Sequence, residues 1–131
     1  MADLQVDIVT PERLVYSGRA SDVRAPGWEG EFEVLPGHTL FLALLHGGVL
    51  RLSTPEGEKR FVVGRGFAEA GPERVTILTD RCVAPEDVDK AEAQKQLNEL
   101  DAKLATANAF DEAATARIEE KVEVARAMLE I

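Results

Sequence analysis

Short segments in which apolar and polar residues alternate fill the first two thirds of the chain. Leu4, Val6 and Ile8 alternate with their neighbours in this way and predict a half-buried strand. Further short apolar runs, each followed by turn residues, lie at residues 13–16, 21–25, 31–35, 40–45, 49–52, 60–63, 67–70 and 75–78. The turn residues at 54–57 and 71–73 each separate two runs and predict β-hairpins. Because turn signals are frequent and no helical period is present, this region is predicted to form a small β sandwich or barrel.

The last third of the chain has a different pattern, in which apolar residues recur every three or four positions. This spacing predicts two amphipathic helices, with stripes formed by Val88, Ala91, Leu97, Leu100 and Leu104 and by Ala114, Ile118, Val122, Ala125 and Leu129. Pro85, followed by Glu86 and Asp87, suits the first turn of the first helix. Asn108 or Asp111, in the break between the stripes, can cap the second helix.

The short break between the two stripes favours an antiparallel helical hairpin. Its apolar stripes are narrow and rich in alanine, so the two helices bury little area between them. Helices of this kind are marginally stable alone. We therefore expect the hairpin to need the β region or a partner protein.

Composition changes at the same point in the chain. All ten glycines lie at or before Gly71 and all six prolines at or before Pro85, whereas residues 86–131 contain eleven alanines. Glycine and proline interrupt regular structure and alanine favours helix. The fold class is therefore predicted to be α+β, mainly β, with a β domain over residues 1–84 and a two-helix hairpin over residues 85–131.

The charge balance narrows the classes of partner. The chain has 24 acidic and 15 basic residues and a net charge of −9. An acidic surface repels phosphate backbones and anionic lipid headgroups, which disfavours nucleic acid and direct membrane binding. The longest apolar run, Leu40 to Leu45, is far short of a membrane span, and the first residues show no signal-peptide pattern. The single cysteine, Cys82, excludes an internal disulfide and favours a reducing, cytoplasmic compartment.

The residues that carry chemistry do not assemble into a recognisable catalytic or metal site. The segment Gly64-Arg65-Gly66 is not continued as a dinucleotide-binding fingerprint, and its glycines are expected to permit a bend or bulge. His38 and His46 lie eight residues apart without clustered carboxylates, and His38 is expected to be a turn residue whose ring hydrogen-bonds the backbone. Cys82 has Arg81 beside it, which would favour a thiolate, but it has no histidine near it in sequence.

The most distinctive segment is Gly-Glu-Phe-Glu-Val-Leu-Pro-Gly-His-Thr at residues 30–39, with its central motif at Val34, Leu35, Pro36, Gly37 and His38. With this motif, the chain resembles the epsilon subunits of bacterial F-type ATP synthases, which are equivalent to the mitochondrial delta subunit. The resemblance extends to residues 4–12, 61–69 and 75–80, and it spans essentially the whole chain in order. The sequence departs from the family pattern at Glu33, Leu40 and Arg65, where the family usually has Gly, Pro and Gly, but the hydrophobic pattern is kept.

The resemblance implies a ten-stranded N-terminal β sandwich followed by a C-terminal antiparallel α-helical hairpin. It also implies a noncatalytic rotor subunit in the central stalk of a proton-translocating ATP synthase, at the cytoplasmic face of the bacterial inner membrane. The implied partners are the gamma subunit and the c-ring, which hold the sandwich, and the alpha and beta subunits of the catalytic head. Membrane association would then come through the complex alone.

The resemblance raises the question of ATP binding, because some family members hold ATP at a motif that opens the first helix. Asp89 and Ala93 match that motif, but Glu92 stands where the family has arginine. This change replaces a cation that attracts phosphate with an anion. Asp89 is therefore only a weak candidate for an ATP contact, and we expect ATP binding to be weak or absent and no cofactor to be needed.

The resemblance also implies that the hairpin can extend along gamma and inhibit ATP hydrolysis. Residues 111–131 hold six acidic and three basic residues, and the candidate regulatory cations are Arg117, Lys121 and Arg126. The alternative, which we favour, is that this is a solvated face stabilised by local ion pairs.

Two other classes of function remain alternatives to the stalk subunit. One is a free-standing small-ligand-binding β module whose hairpin acts as a lid, and the other is a small thiol enzyme that uses Cys82. A stalk subunit should bind gamma tightly, whereas a lid protein should respond to a small molecule without a partner. Neither alternative explains the resemblance over the full chain.

Overall fold

The computed structural model describes residues 3–107 and 110–131. Within them, ten strands precede two helices, and the fold class is α+β, mainly β, as predicted. The strands are β1 (Leu4–Val9), β2 (Leu14–Ala20), β3 (Asp22–Gly27), β4 (Gly30–Val34), β5 (Phe41–Leu45), β6 (Gly48–Thr54), β7 (Gly57–Val63), β8 (Gly66–Ala70), β9 (Arg74–Thr79) and β10 (Cys82–Val83). The helices are α1 (Lys90–Thr106) and α2 (Glu112–Glu130).

The strands form one continuous sheet that folds over into a sandwich. Nine of them follow the order β10-β7-β6-β3-β5-β8-β9-β1-β2, and β4 pairs with β3 off this path. The pairing of β1 with β9 is parallel, and the other pairings in the described residues are antiparallel. The inward-facing apolar side chains form one core, whose largest fully buried members are Leu4, Ile8, Leu45, Leu50, Leu52 and Ile77.

The local patterns found most strands but missed several boundaries. Both predicted hairpins, β6–β7 and β8–β9, are confirmed. The expected stop of the second strand at Ser17-Gly18 is wrong, because Gly18 lies inside β2 and pairs with Val6. The expected stop of the third strand at Pro26-Gly27 comes too early, because both residues pair with β4 and β3 ends at Gly27. The two-residue strand β10 was not predicted, because it is too short to show a period.

The first helix begins later than predicted. Pro85 starts a separate 3-10 turn over Pro85–Asp87, after which Val88 is extended. Asp89 then caps α1 by accepting a hydrogen bond from the Glu92 amide at 3.0 Å. Ala91, placed in the buried stripe from its spacing, is exposed, and Ala93 is the buried alanine of this turn.

The second helix begins at the predicted break and packs against the sandwich as well as α1. Asp111 caps it by accepting a hydrogen bond from the Ala114 amide at 3.1 Å, and the other proposed cap, Asn108, lies outside the described residues. Of the predicted stripe, Val122 and Ala125 are buried and the other three members are only half-buried. Val124, Ala127 and Met128 are buried as well. The hairpin therefore gains from the β domain the burial that its own narrow stripes do not supply.

Candidate functional site

The helical hairpin rests on the outer face of β6 and β7, and we call this contact the hairpin dock. Val49 and Val62 lie directly opposite each other on the two strands and point away from the sandwich core. They form an apolar cluster with α1 and α2 whose helical members are Ala93, Val124, Ala127 and Met128. Adjacent apolar pairs, Val49-Leu50 and Val62-Val63, are the sequence signal for strands buried on both faces.

The carboxylate of Glu123 lies at one end of the dock and has four contacts to the sandwich. Arg65 donates to it from Nη2 at 2.6 Å and from Nε at 3.2 Å. The backbone amide of Gly47 donates to Oε1 at 2.8 Å, and Nε2 of His46 lies 3.1 Å from Oε2. The Glu123 side chain is only 10% exposed, so these contacts take the place of most of its hydration.

The Arg65 side chain is held in position on its other sides. It lies at the bend between β7 and β8, and its Nη1 is 3.4 Å from Oε1 of Glu120. Its guanidinium carbon lies 4.8 Å from the centre of the Trp28 ring, which also packs perpendicular to the His46 ring. Hydrogen bonding to Glu123 raises the pKa of Arg65 above its ordinary value, against the lowering effect of burial.

We call this group of residues the Glu123 clamp: Glu123, Arg65, His46, Gly47 and Trp28. Sequence reasoning missed it, because Arg65 stood out only as a departure from a family glycine and Glu123 only as one of several acidic residues on a helix. His46 has no clustered carboxylates near it in sequence, but the fold brings the carboxylate of Glu123 beside it from a distant part of the chain. Fifty-eight residues separate Arg65 from Glu123, so no local pattern could have paired them.

A weaker ionic contact lies at the other end of the dock. Nη2 of Arg51, on the outer face of β6, is 3.4 Å from Oε1 of Glu130 near the end of α2. Nη1 of Arg51 also lies 3.5 Å from Oε2 of Glu31, and its Nε lies 3.8 Å from Oε1 of Glu58. Glu130 is 60% exposed, so this pair contributes little compared with the clamp.

The Val-Leu-Pro-Gly-His motif forms the end of β4 and the loop that follows it. Val34 is buried in the core, and Gly37 has a φ of +85°, a conformation that favours glycine. The Gly37 amide donates to the carbonyl of Pro72 at 2.8 Å, which joins this loop to the β8–β9 turn. Nδ1 of His38 hydrogen-bonds the Thr39 carbonyl at 2.8 Å, which confirms the predicted backbone contact. Leu35, at the start of this loop, is half exposed.

A row of exposed apolar side chains crosses five neighbouring strands on the outer face of the sandwich. Pairing of the strands sets Leu44 beside Phe67, Phe67 beside Leu78, Leu78 beside Val9, and Val9 beside Leu14. Four of the five are more than a third exposed, with Leu14 at 55%, Leu44 at 54% and Phe67 at 45%. We call this row the apolar stripe. Contiguous exposed apolar surface of this kind is typical of protein contacts.

The apolar stripe reaches the Glu123 clamp at one end. The amide of Trp28 donates to the carbonyl of Leu44 at 3.1 Å, and the Trp28 ring is 50% exposed. Trp28 therefore lies between Leu44 of the stripe and Arg65 of the clamp.

The structure separates the residues considered for ATP binding and regulation. The Asp89 carboxylate is engaged as the cap of α1, and Glu92 is exposed one turn later. Lys121 lines a groove of about 300 Å³ between the two helices and the sandwich, together with Lys103 and Arg81. Nη2 of Arg126 instead lies 4.0 Å from Oδ1 of Asp101 on α1, and Arg117 is exposed on α2.

Cys82 lies in a poor environment for a nucleophile. It packs against the sandwich core, and burial raises the pKa of its thiol to about 11, with Arg13 rather than Arg81 as the cation that partly opposes the shift. Only about one thiol in ten thousand would be ionised at neutral pH. Within residues 3–107 and 110–131, no group of three His, Cys, Asp or Glu side chains is arranged to hold a metal. None of the helices in those ranges is both long and apolar enough to cross a membrane.

Comparisons with known proteins agree with this architecture. Residues 3–85 match the family model described as the ATP synthase delta/epsilon chain, beta-sandwich domain. An ATP synthase epsilon chain from Granulibacter bethesdensis is 38% identical over 131 residues, which cover 99% of this chain and 97% of that one.

Solved structures show the same fold at lower identity. A chain in the Euglena gracilis mitochondrial ATP synthase, in a structure of OSCP, F1 and the c-ring, has a TM-score of 0.82 and 24% identity, covering 98% of this chain and 80% of that one. A chain in the Tetrahymena thermophila mitochondrial ATP synthase central stalk and c-ring has a TM-score of 0.54 and 16% identity, covering 65% of this chain and 69% of that one. By its family model and its similarity over the full length, the chain belongs to the ATP synthase delta/epsilon family.

Proposed function

We propose that this chain is the epsilon subunit of a proton-translocating ATP synthase and acts in its central stalk without catalysing a reaction itself. The observation that carries the proposal is the 38% identity to an ATP synthase epsilon chain over 99% of the chain. Rotation of the c-ring is coupled through the stalk to ATP synthesis in the catalytic head. The chain works in two parts, with residues 1–84 as the partner-binding sandwich and residues 85–131 as the hairpin.

The apolar stripe is the surface that binds the gamma subunit. It is broad and rigid, because its residues come from five hydrogen-bonded strands rather than from a loop. Its neighbouring outward row is more polar, with Asp7, Thr76 and Glu69 on successive strands. An apolar centre with a polar border is the composition expected of a specific protein contact.

The c-ring contacts the loop end of the sandwich. Leu35 is 50% exposed and Leu40 is 83% exposed, and they flank the Pro36-Gly37-His38 turn. This end of the sandwich is separate from the apolar stripe, so the sandwich has room for gamma and the ring together. The subunit thus sits at the cytoplasmic face of the bacterial inner membrane through the complex, and the alpha and beta subunits are reached through gamma or through the hairpin.

Affinity purification tests this assignment. A tagged copy of the full chain, expressed in its source cell and recovered from detergent-solubilised membranes, is expected to carry gamma, alpha, beta and c-ring subunits with it. An unrelated tagged protein of similar acidity is the control for non-specific capture. Recovery of the chain alone, free of partners, would contradict the stalk assignment and favour the ligand-binding module.

The start of α1 does not serve as an ATP site in this chain. Asp89 already accepts the amide hydrogen of Glu92, and the position expected to hold a phosphate-binding arginine carries that glutamate. A carboxylate at this position repels a triphosphate. The cations Arg117, Lys121 and Arg126 belong to a solvated face of the hairpin, and the approach of Arg126 to Asp101 supports local ion pairing there.

Equilibrium dialysis of the isolated full chain against ATP is therefore expected to show no saturable binding at micromolar concentrations. Asp89→Ala should leave that result unchanged, although it removes a helix cap and should lower stability by about 1 kcal/mol. Glu92→Arg provides the comparison that restores the family residue. Tight binding by the native chain that Asp89→Ala abolishes would show that the site is functional.

A further inference from the structure

The hairpin dock has a small apolar contact for the segment that it holds. Among residues 3–107 and 110–131, two sandwich residues, Val49 and Val62, are buried members of its apolar cluster. On the helical side, several members are alanine or short aliphatic residues. A contact of this size leaves the position of the hairpin sensitive to any polar interaction at its edge.

The Glu123 carboxylate supplies such an interaction, and it depends on Arg65. Glu123 is 10% exposed and Arg65 is 21% exposed, so docking removes much of the water from both charges. With both charges present, the bidentate contact at 2.6 Å and 3.2 Å compensates for the lost hydration. With Arg65 absent, the docked state would keep a largely dehydrated carboxylate with only the Gly47 amide and the His46 ring beside it, which is less favourable than the loss of the pair as a whole.

Neighbouring groups fix the positions of both side chains of the pair. Trp28 covers one face of the Arg65 guanidinium, and Gly47 brings its backbone amide to Glu123. A Cβ atom at position 47 would lie 2.7 Å from the Cβ of Glu123, so the close approach of α2 requires glycine there. The clamp is thus a fitted site rather than a loose surface pair.

We infer that the Arg65–Glu123 pair holds the hairpin on the sandwich as the resting state of this chain and controls its release. Arg65 gives this chain a dock that opens when the pair is broken and stays closed while the pair is intact. The effect on the assembled ATP synthase rests on the proposed function, because there an interaction elsewhere would have to compete with the clamp. The docking itself is a property of the chain alone.

Hydrogen exchange in the isolated full chain tests the inference. When the hairpin leaves the sandwich, its two helices are only marginally stable. The amides of α2 therefore exchange through this released state. Arg65→Gln is expected to speed their exchange about ten- to hundred-fold while the amides of β1 and β9 keep their native rates. Arg117→Gln, which removes the same type of charge from an exposed position on α2, is the matched control and should have little effect.

The double variant Arg65→Gln/Glu123→Gln separates the clamp from general destabilisation. Because this variant also removes the unpaired carboxylate, its α2 amides are expected to exchange more slowly than those of Arg65→Gln, although two residues are changed instead of one. Equal rates in native chain and Arg65→Gln, or equal acceleration by Arg117→Gln, would overturn the inference.

A steric variant covers the case in which Arg65→Gln unfolds the sandwich too, so that β1 and β9 exchange together with α2. Gly47→Ala should then release α2 by contact with Glu123 and leave β1 and β9 protected. If α2 stays protected in Gly47→Ala, the inference is wrong. Failure of these tests leaves the purification result unaffected, so the clamp and the stalk assignment are judged separately.

Discussion

Phe67→Glu is expected to abolish recovery of the ATP synthase subunits with the tagged chain. Phe67 lies at the centre of the apolar stripe, with Leu44 beside it on one strand and Leu78 on the other. A carboxylate there would be buried without a partner when gamma covers the stripe. Central contact residues typically contribute about 2–4 kcal/mol, so affinity should fall by a factor of about thirty to a thousand.

Two variants serve as controls for this result. Phe67→Leu keeps an apolar side chain at the same position and should retain most of the binding. Ala102→Glu adds the same carboxylate at an exposed position of α1, outside the stripe, and should bind normally. Because Phe67 is already 45% exposed, the isolated Phe67→Glu chain should unfold at nearly the native urea concentration. Undiminished recovery of gamma with Phe67→Glu would place the contact elsewhere on the sandwich.

Gly66→Ala is expected to give the largest loss of stability among single-methyl additions in the sandwich. Gly66 is the first residue of β8 and lies between Leu45 and Thr79 of the neighbouring strands. A Cβ atom there would lie 1.9 Å from the carbonyl oxygen of Leu78 and 2.8 Å from the Cα of Thr79. Both are backbone atoms of a central strand, so the overlap can be relieved only by separating the strands. We expect a loss of about 3 kcal/mol or more in the free energy of unfolding.

Urea unfolding followed by far-ultraviolet circular dichroism measures this loss, and Gly71→Ala is the matched control. The same methyl group at Gly71 would meet only the side-chain end of Leu40, which is 83% exposed and free to turn away. Gly71→Ala should therefore shift the transition by less than about 1 kcal/mol. If the two variants have the same midpoint, the strands at Gly66 are more adaptable than their register indicates.

The hairpins and the two helices could be predicted because their signals are local. Residues 54–57 and 71–73 are turn segments between apolar runs, and the spacing of Ile118, Val122, Ala125 and Leu129 is that of one helix face. Errors arose where a neighbouring element decided the outcome. Glycine normally interrupts a strand, but Gly18 continues β2 because Val6 of β1 pairs with it, and β3 runs on to Gly27 because Gly30 of β4 pairs with it.

The candidate site was predicted much less well than the fold. The motif around Pro36 and Gly37 indicated the family, but the clamp lies in residues that looked unremarkable in sequence. Nothing near Arg65 or Glu123 in sequence indicates the other as its partner, and their interaction exists only because α2 rests on the outer face of β6 and β7.

By itself, the sequence determined the division into a β part and a helical part, the family, and the reason to doubt ATP binding at Glu92. Periodicity, turn residues and the identity of one side chain are properties that neighbouring residues carry. Only the tertiary structure decided the surfaces: it aligned Leu14, Leu44 and Phe67 into one stripe and brought Arg65 to Glu123. Register and docking join residues that are distant in the chain, and burial then sets the strength of the contacts between them.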